Sequence, residues 1–458
     1  MKQINSTAFL LAIVFVLLAF QVFSVTASAQ HAALPVSLTL SESIQIAAKE
    51  NPKVKAASFQ EEALRSQVVQ AQSGFFPVID FTETYNRTNN PMWAFGTKLN
   101  QEVITAADFN TETLNDPDDI SNFASAVSMT WTVYDGGRTK INWKQAQHNH
   151  IIASLVLKQT IQDVIAQTAK AYIDMLLAQK HLMVIEQSLD IAKANLKMVG
   201  SRFASGFVVK SDFLRAKLRV AELEQQRLQS ESQVKVAEAI LSATMGYTDD
   251  RPLRLVSPLN RCVETTGTVG DWTEIALTRR PDLEKLSYQE DIAKAEINKA
   301  HAEHFPDLRL IGNYEINSED FSDTGDNYTV GAVMRVNLYS GNRISSKTKS
   351  AKSSLRSAQA LRKNLELMIR VQVRESFLNT KSAWQRIVVA QDAVEQAKES
   401  MRIVKNRYQN GLLTIVDLLD AELTQQKSQT NHYKALHDYK VARINLAQAV
   451  GTIDTDFN

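Results

Sequence analysis

Two periods of hydrophobic patterning alternate along this 458-residue chain. A seven-residue period dominates. Positions 161, 168, 175, 182, 189 and 196 are Ile, Thr, Met, Leu, Leu and Leu, and positions 164, 171, 178, 185, 192 and 199 are Val, Ala, Ala, Ile, Ala and Val. The seam recurs 205 residues later, with Ile369, Ala383, Ala390, Ala397 and Val404 on one row and Val373, Ile387, Val394 and Met401 on the other. A sustained heptad predicts helices that supercoil left-handedly, and alanine along one row lets them approach closely. A two-residue period interrupts this pattern twice. Val127, Met129, Trp131 and Val133 alternate with Ser128, Thr130 and Thr132; Tyr328, Val330, Ala332, Met334, Val336 and Leu338 alternate with Thr329, Gly331, Val333, Arg335 and Asn337. Such alternation predicts strands with one apolar and one more polar face, and residues 78–85 and 307–316 are their expected partners.

Turn residues divide the patterns into two copies. Residues 118–251 and 307–458 contain no proline, and Gly411 is the only glycine between Gly341 and Gly451. Between Gly137 and Gly246 only Gly200 and Gly206 occur, so each stretch reads as two long helices around one glycine turn. Tyr134-Asp-Gly-Gly-Arg138 matches Tyr339-Ser-Gly-Asn-Arg343 at an offset of 205, as Arg202 and Gly206 match Arg407 and Gly411, and Asp212 matches Asp417. Upstream, Pro52 and Pro77 match Pro281 and Pro306 at an offset of 229. The first copy therefore carries 24 extra residues, within its Asn/Asp/Thr-rich run at 86–121. This is an internal duplication with one enlarged loop.

Helix lengths constrain how a copy is built. Residues 141–199 and 344–409 span ~88 and ~99 Å, whereas the return helix 212–245 covers ~51 Å. The segments before the strands, about 42–73 and 271–302, supply another ~48 Å. Each copy is thus expected to set a long helix beside two short ones placed end to end, with its strand pair at one end.

The N-terminus has a targeting pattern: Lys2, an apolar run at 9–20 and Ala27-Ser28-Ala29, predicting a signal peptide over 1–29 and export. No later segment approaches ~18 consecutive apolar residues, so any membrane crossing must use strands. Lys+Arg number 51 and Asp+Glu 50, a balance that argues against nucleic acid as partner. The single cysteine, Cys262, cannot form an internal disulfide. His148 and His150, and His301 and His304, are the only close histidine pairs, and neither has convincing ligand company. No Walker loop, nucleophile elbow or HExxH motif occurs, so no catalytic residue, cofactor or metal is expected. Without an ATPase motif, energy for any transport must come from elsewhere. A periplasmic coiled-coil structural or adaptor protein, its strands a soluble cap, is the reading from a different class.

With its signal peptide, duplication, paired strands and Arg-[Phe/Tyr]-x-x-Gly-x5-Asp turns, the chain resembles the TolC family of outer-membrane channels over about residues 37–452. The resemblance implies a mainly α fold with a small β part. Long antiparallel coiled-coil helices would form an α-barrel tunnel, and four transmembrane β-strands per protomer would contribute to a trimeric 12-stranded β-barrel. Four strands cannot close a barrel alone, and open edges are not tolerated in lipid. The expected division is a signal peptide (1–29), a first repeat (30–250), a connector (251–270) and a second repeat (271–458). The first repeat has strands 78–86 and 124–134, long helix 139–200, tip turn 201–211 and return helix 212–246. The second has strands 307–317 and 328–339, long helix 344–409, tip turn 410–414 and return helix 415–451.

The implied function is that of a passive exit duct of a tripartite efflux system, in the outer membrane and extending into the periplasm. It would be a homotrimer in lipid, opened by a docking periplasmic adaptor and powered by an inner-membrane transporter of RND or ABC type. Type I protein secretion is the alternative within the class. Carried onto this chain, Asp417 and Asp420 would ring the pore constriction, attracting cations. Gly206, Phe207, Val208, Gly411, Leu412 and Thr414 would form the adaptor-docking turns, and Arg202, Asp212, Arg407 and Tyr408 would link the tip helices. Lys210-Ser211 and Leu413 depart from the family's pattern. Asp417 can also serve as partner to a capping Thr414, the glycines as left-handed helix ends, and Arg202 and Arg407 as donors to the last carbonyls. Trp131, Tyr134, Trp143 and Tyr339 are candidates for an inner interfacial girdle.

Overall fold

In the computed structural model, which describes residues 36–248, 252–259 and 263–456, the expected signal peptide and Cys262 lie outside the described residues. The described residues start with strand β1 (Val36–Leu38) and helices α1 (Leu40–Glu50) and α2 (Pro52–Gln72). Strand β2 (Val78–Thr88) leads into an insertion with α3 (Pro91–Asn100) and α4 (Thr111–Asn115), and β3 (Ile120–Tyr134) returns from it. Helices α5 (Arg138–Ala204) and α6 (Lys210–Met245) complete the first copy, and β4 (Leu253–Leu255) lies in the connector. The second copy comprises α7 (Val269–Arg279), α8 (Pro281–Ala302), β5 (Asp307–Ser318), β6 (Gly325–Arg335), α9 (Arg343–Gln409) and α10 (Ile415–Val450), followed by α11 (Ile453–Asp456). Helices α5 and α9 have 67 residues each, α6 and α10 have 36 each, and both pairs keep the 205-residue offset.

Several boundaries differ from the sequence expectation; β3 begins at Ile120 and not at 124, and the first long helix runs on to Ala204. The segments before the strands are each two helices, because Pro52 and Pro281 lack an amide hydrogen and force the preceding residue to extended backbone; Asn51 has ψ 127° and Arg280 ψ 121°. The first tip turn is shorter than 201–211, since Gly200 stays helical and Gly206 alone adopts the left-handed φ of +77°. Strand β6 stops at Arg335, short of 339. Its one sheet neighbour, β5, begins at Asp307 opposite Arg335, and Pro306 before it has no amide hydrogen to give, so Val336 and Leu338 have nothing to hold them in the sheet.

The sheet has the order β2-β3-β5-β6, antiparallel throughout, so the two copies meet at β3 and β5. Its register sorts side chains by face. Phe81, Val127, Tyr314 and Tyr328 share one face; Thr82, Ala126, Asn313 and Thr329 share the other. The apolar face is uncovered, with Phe81 69% and Val330 79% exposed. Near the helix end of the sheet, Trp131 Nε1 donates to Phe75 O (3.0 Å) and Trp143 packs edge-on against the Phe75 ring.

The helices lie side by side in two levels. Beside the sheet the order is α2–α5–α8–α9, and toward the glycine turns it is α6–α5–α10–α9. The long helices thus run through both levels, ~100 Å each, flanked by shorter helices end to end. Val164, Ala171, Ile185, Ala192 and Val199 on the heptad seam are all 5% exposed or less. At mid-length, β1 and β4 pair in parallel, and buried Tyr172 donates to Leu38 O (3.0 Å) while accepting from Ser257 N (3.0 Å). That hydroxyl ties the chain start and the connector to α5. Both outer edges of the helical layer are apolar and open: Leu361, Val371 and Val389 on α9, and Leu218, Leu228 and Val236 on α6, are each more than half exposed. Among the described residues, no helix is long and apolar enough to cross a membrane.

Candidate pore constriction and tip turns

The two tips close alike in backbone and unlike in side chain. Past each long helix a glycine takes left-handed φ, +77° at Gly206 and +74° at Gly411. The next amide then reaches back into the helix: Phe207 N donates to Arg202 O (2.9 Å), and Leu412 N to Arg407 O (3.0 Å). This is the backbone closure a glycine after a helix permits. Helix α6 then begins at Lys210, after Val209, which provides no side-chain cap, whereas Thr414 caps α10 with a full capping box. The turns leave Phe207 (82%) and Leu412 (71%) projecting into solvent, Thr414 exposed, and Val208 half-buried against the tip core. Leu413 packs against the same core, which holds Val199, Met401, Ile415 and Leu418.

Asp417 and Asp420 are exposed one turn apart at the start of α10. Asp417 Oδ2 accepts from Thr414 Oγ1 (2.6 Å) and Thr414 N (2.9 Å). The hydroxyl and then the amide of Thr414 hold this carboxyl below the usual aspartate range. Capping therefore keeps Asp417 ionised and fixes its position, so the two readings of this residue reinforce each other. Asp420 has no part in the box.

Arg202 bonds carbonyls as expected, but those of the other copy. Its Nη1 donates to Tyr408 O (3.0 Å) and its Nη2 to Gln409 O, ending α9, and its guanidinium lies 5.4 Å from the Tyr408 ring centroid. Its duplicate, Arg407, is exposed. Tyr408 is 4% exposed, and its hydroxyl has no hydrogen-bond partner among the described residues. Burial pushes that hydroxyl's pKa up; the Arg202 charge opposes this, and the half-buried Asp212 adds to it. Phe203 stacks on Phe213 (5.6 Å, 9°), closing the first copy's turn. Arg202, Tyr408 and Asp212 thus meet at one joint, and Arg407 stands outside it.

A buried polar seam between the copies went unrecognised in the sequence. Glu422, 7% exposed, accepts from Asn195 Nδ2 on α5, and Arg219 on α6 donates to Gln426 Oε1 (2.6 Å). Further up, His437 bridges Asp174 (2.6 Å) and Asp438 (3.1 Å). The available signal was register: Glu422 lies seven residues after Ile415 and fourteen before Leu436, both buried, with Gln429 between them on the same row.

Both seam groups carry a pH expectation. Burial pushes the Glu422 carboxyl up, although Asn195, Arg219 and Lys405 oppose it. Burial pulls His437 down, but bonds to Asp174 and Asp438 outweigh this and raise it. The raised imidazole contributes stability that is complete below its ordinary value, 6.5, and is lost as pH rises through the folded value. Ionising Glu422 at higher pH costs in the same direction. Thermal unfolding in detergent should therefore occur at higher temperature near pH 5.5 than near pH 8. His437→Gln and Glu422→Gln together should flatten that difference; an unchanged pH slope would remove the seam as its source.

Comparison with known proteins gives a consistent picture. The profile described as Outer membrane efflux protein matches residues 43–247 and 272–452. The chain is 22% identical to the Proteases secretion protein PrtF of Dickeya chrysanthemi, over 91% of this chain and 89% of that one. It is 24% identical to the Outer membrane protein TolC of Vibrio cholerae, over 89% of each. In structure it is similar to the Campylobacter jejuni CmeC outer membrane channel, with TM-score 0.77 at 16% identity, over 90% of this chain and 85% of that chain.

Proposed function

Because the chain belongs to the outer membrane efflux protein family, we propose that it acts as a homotrimeric, passive exit duct. Three chains would close a barrel in the outer membrane above a helical tunnel through the periplasm. It is an outer-membrane channel protein of the kind that serves efflux and secretion. The observation that carries the oligomer is the sheet, and the number three is the one the family resemblance implies. Phe81, Tyr328, Val330 and Met334 are 69–79% exposed on one face, and the outer edges of β2 and β6 are unpaired. Such a surface suits lipid, but open edges do not. Joining β6 of one copy to β2 of the next, antiparallel, satisfies both requirements. The open apolar edges of α6 and α9 close in the same head-to-tail sense.

At the other end, Phe207 and Leu412 supply apolar knobs for a periplasmic adaptor, and an inner-membrane transporter of RND or ABC type provides the energy. Asp417 and Asp420 form the constriction, while Arg202 and Tyr408, beside Asp212, hold the tip closed until docking untwists it. Efflux is the first reading. Protein secretion is the second, favoured by the protease-secretion relative. Extraction should require detergent and yield a particle with the mass of three chains. A monomer in detergent, or recovery from soluble periplasm, would end the channel reading. Co-purification of an RND or an ABC transporter would decide between efflux and secretion.

A further inference from the structure

The insertion between β2 and β3 does not loop freely into solvent. Gln101, just past α3 and 3% exposed, donates from Nε2 to Ser121 O (2.8 Å) and Asn122 Oδ1 (2.9 Å). Asn122 donates on to Asn317 Oδ1 (2.7 Å), and Asn317 to Glu315 Oε1 (2.7 Å). Asn122, Asn317 and Gly325, on β3, β5 and β6, all belong to the polar face of the sheet. At Gly325 the chain leaving α3 passes so close that a Cβ would lie 2.3 Å from Asn100 O. The insertion is also internally braced, with Ala94 fully buried and Lys98 paired to Asp108 (2.8 Å). The loop joining β5 and β6 takes the opposite side: Phe321 packs on Phe123, on the apolar face, at 4.4 Å.

We propose that residues 89–119 form a lid over the outer mouth of the barrel, one lid per protomer. The inference rests on the channel reading above. In a barrel in lipid, the apolar face meets the bilayer and the polar face lines the lumen. An element that starts from β2 and crosses the polar face of β3, β5 and β6 therefore lies inside the mouth. Three copies, each covering most of its own third of the wall, narrow the extracellular opening and form a barrier in series with the periplasmic constriction. The lid is held by the side-chain amides of Gln101, Asn122 and Asn317 and by one close backbone approach at Gly325. It can swing aside for outgoing cargo and still obstruct bulky solutes from outside.

The test uses the full chain with Cys262→Ser and a reporter Asn313→Cys on the polar face of β5. A bulky polymer-linked maleimide is added outside intact cells. Replacing 91–117 by a short Gly-Ser turn should raise the labelling rate at least about tenfold. Gln101→Ala, which leaves the barrel strands and their Asn122–Asn317 bond intact, should raise it several-fold by loosening the tether. If that point variant labels no faster than the parent, the lid is overturned, whether or not the deletion assembles. The channel reading fails separately: a small impermeant maleimide that modifies Tyr314→Cys and spares Asn313→Cys would reverse the two faces.

Discussion

Channels carrying Asp417→Ala and Asp420→Ala together should lose most of their cation preference, the cation-to-anion permeability ratio falling about tenfold. In the proposed trimer these positions would bring six carboxylates to the start of α10, and a constriction there would concentrate their field. Thr414 holds Asp417 below the ordinary aspartate range, so its charge persists from neutral pH down into mild acid. Reversal potentials across a salt gradient measure the effect. Asp417 also belongs to a capping box, so its loss has a structural component. Thr414→Ala separates the two contributions. It removes the box partner and should lower stability by about 1 kcal/mol while keeping the charges and the selectivity. If the double variant stays cation-selective, or if Thr414→Ala abolishes selectivity by itself, the carboxylates do not ring the constriction.

Gly136→Ala should be far more damaging than Gly341→Ala, although the glycines are duplicates. Both have left-handed φ, +71° and +57°, so an L side chain is strained at either, by about 1–2 kcal/mol. The space around them differs. A Cβ at Gly136 would lie 2.7 Å from Ala302 O and 3.0 Å from Phe305 Cβ, whereas at Gly341 nothing lies within 4 Å. Backbone must therefore move in the first case, and the total should exceed about 3 kcal/mol. The corner it would disturb joins β3 to α5. There Asp135 accepts from Gly137 N (3.0 Å) and Thr139 N (2.7 Å), and Arg138 pairs with Asp307 of the second copy (2.8 Å). Trimer yield and thermal midpoint should fall sharply for Gly136→Ala and little for Gly341→Ala. Equal losses would show that the close approach to α8 does not govern this corner.

The outcomes at these residues divide by the range of the physics involved. Long helices, their glycine ends and the alternating strands were legible because each depends on neighbours within one turn or one strand. Val164, Ile185 and Val199 are buried where the heptad puts them. Even so, the prolines at 52 and 281 were read as falling inside single helices, when their local effect is to end one and start another. Glu422 is not legible as buried because its row also carries Gln429, so the carboxylate looks exposed until Asn195, 227 residues away, is seen to meet it.

By itself the sequence determined the duplication, the long helices with their return helices, the two-residue alternation of β3 and β6 and the resemblance to the channel family. Those features follow from periodicity and from the few residues that can break a helix, and they need no knowledge of the partner surface. Tertiary structure alone decided that Arg202 crosses to the second copy, that Gly136 tolerates no side chain while Gly341 has room, and that the insertion lies on the polar face of the sheet. Each of these is set by where one copy meets the other. Two residues separated by about 200 positions leave no mark in a local pattern, so identical motifs can receive opposite roles.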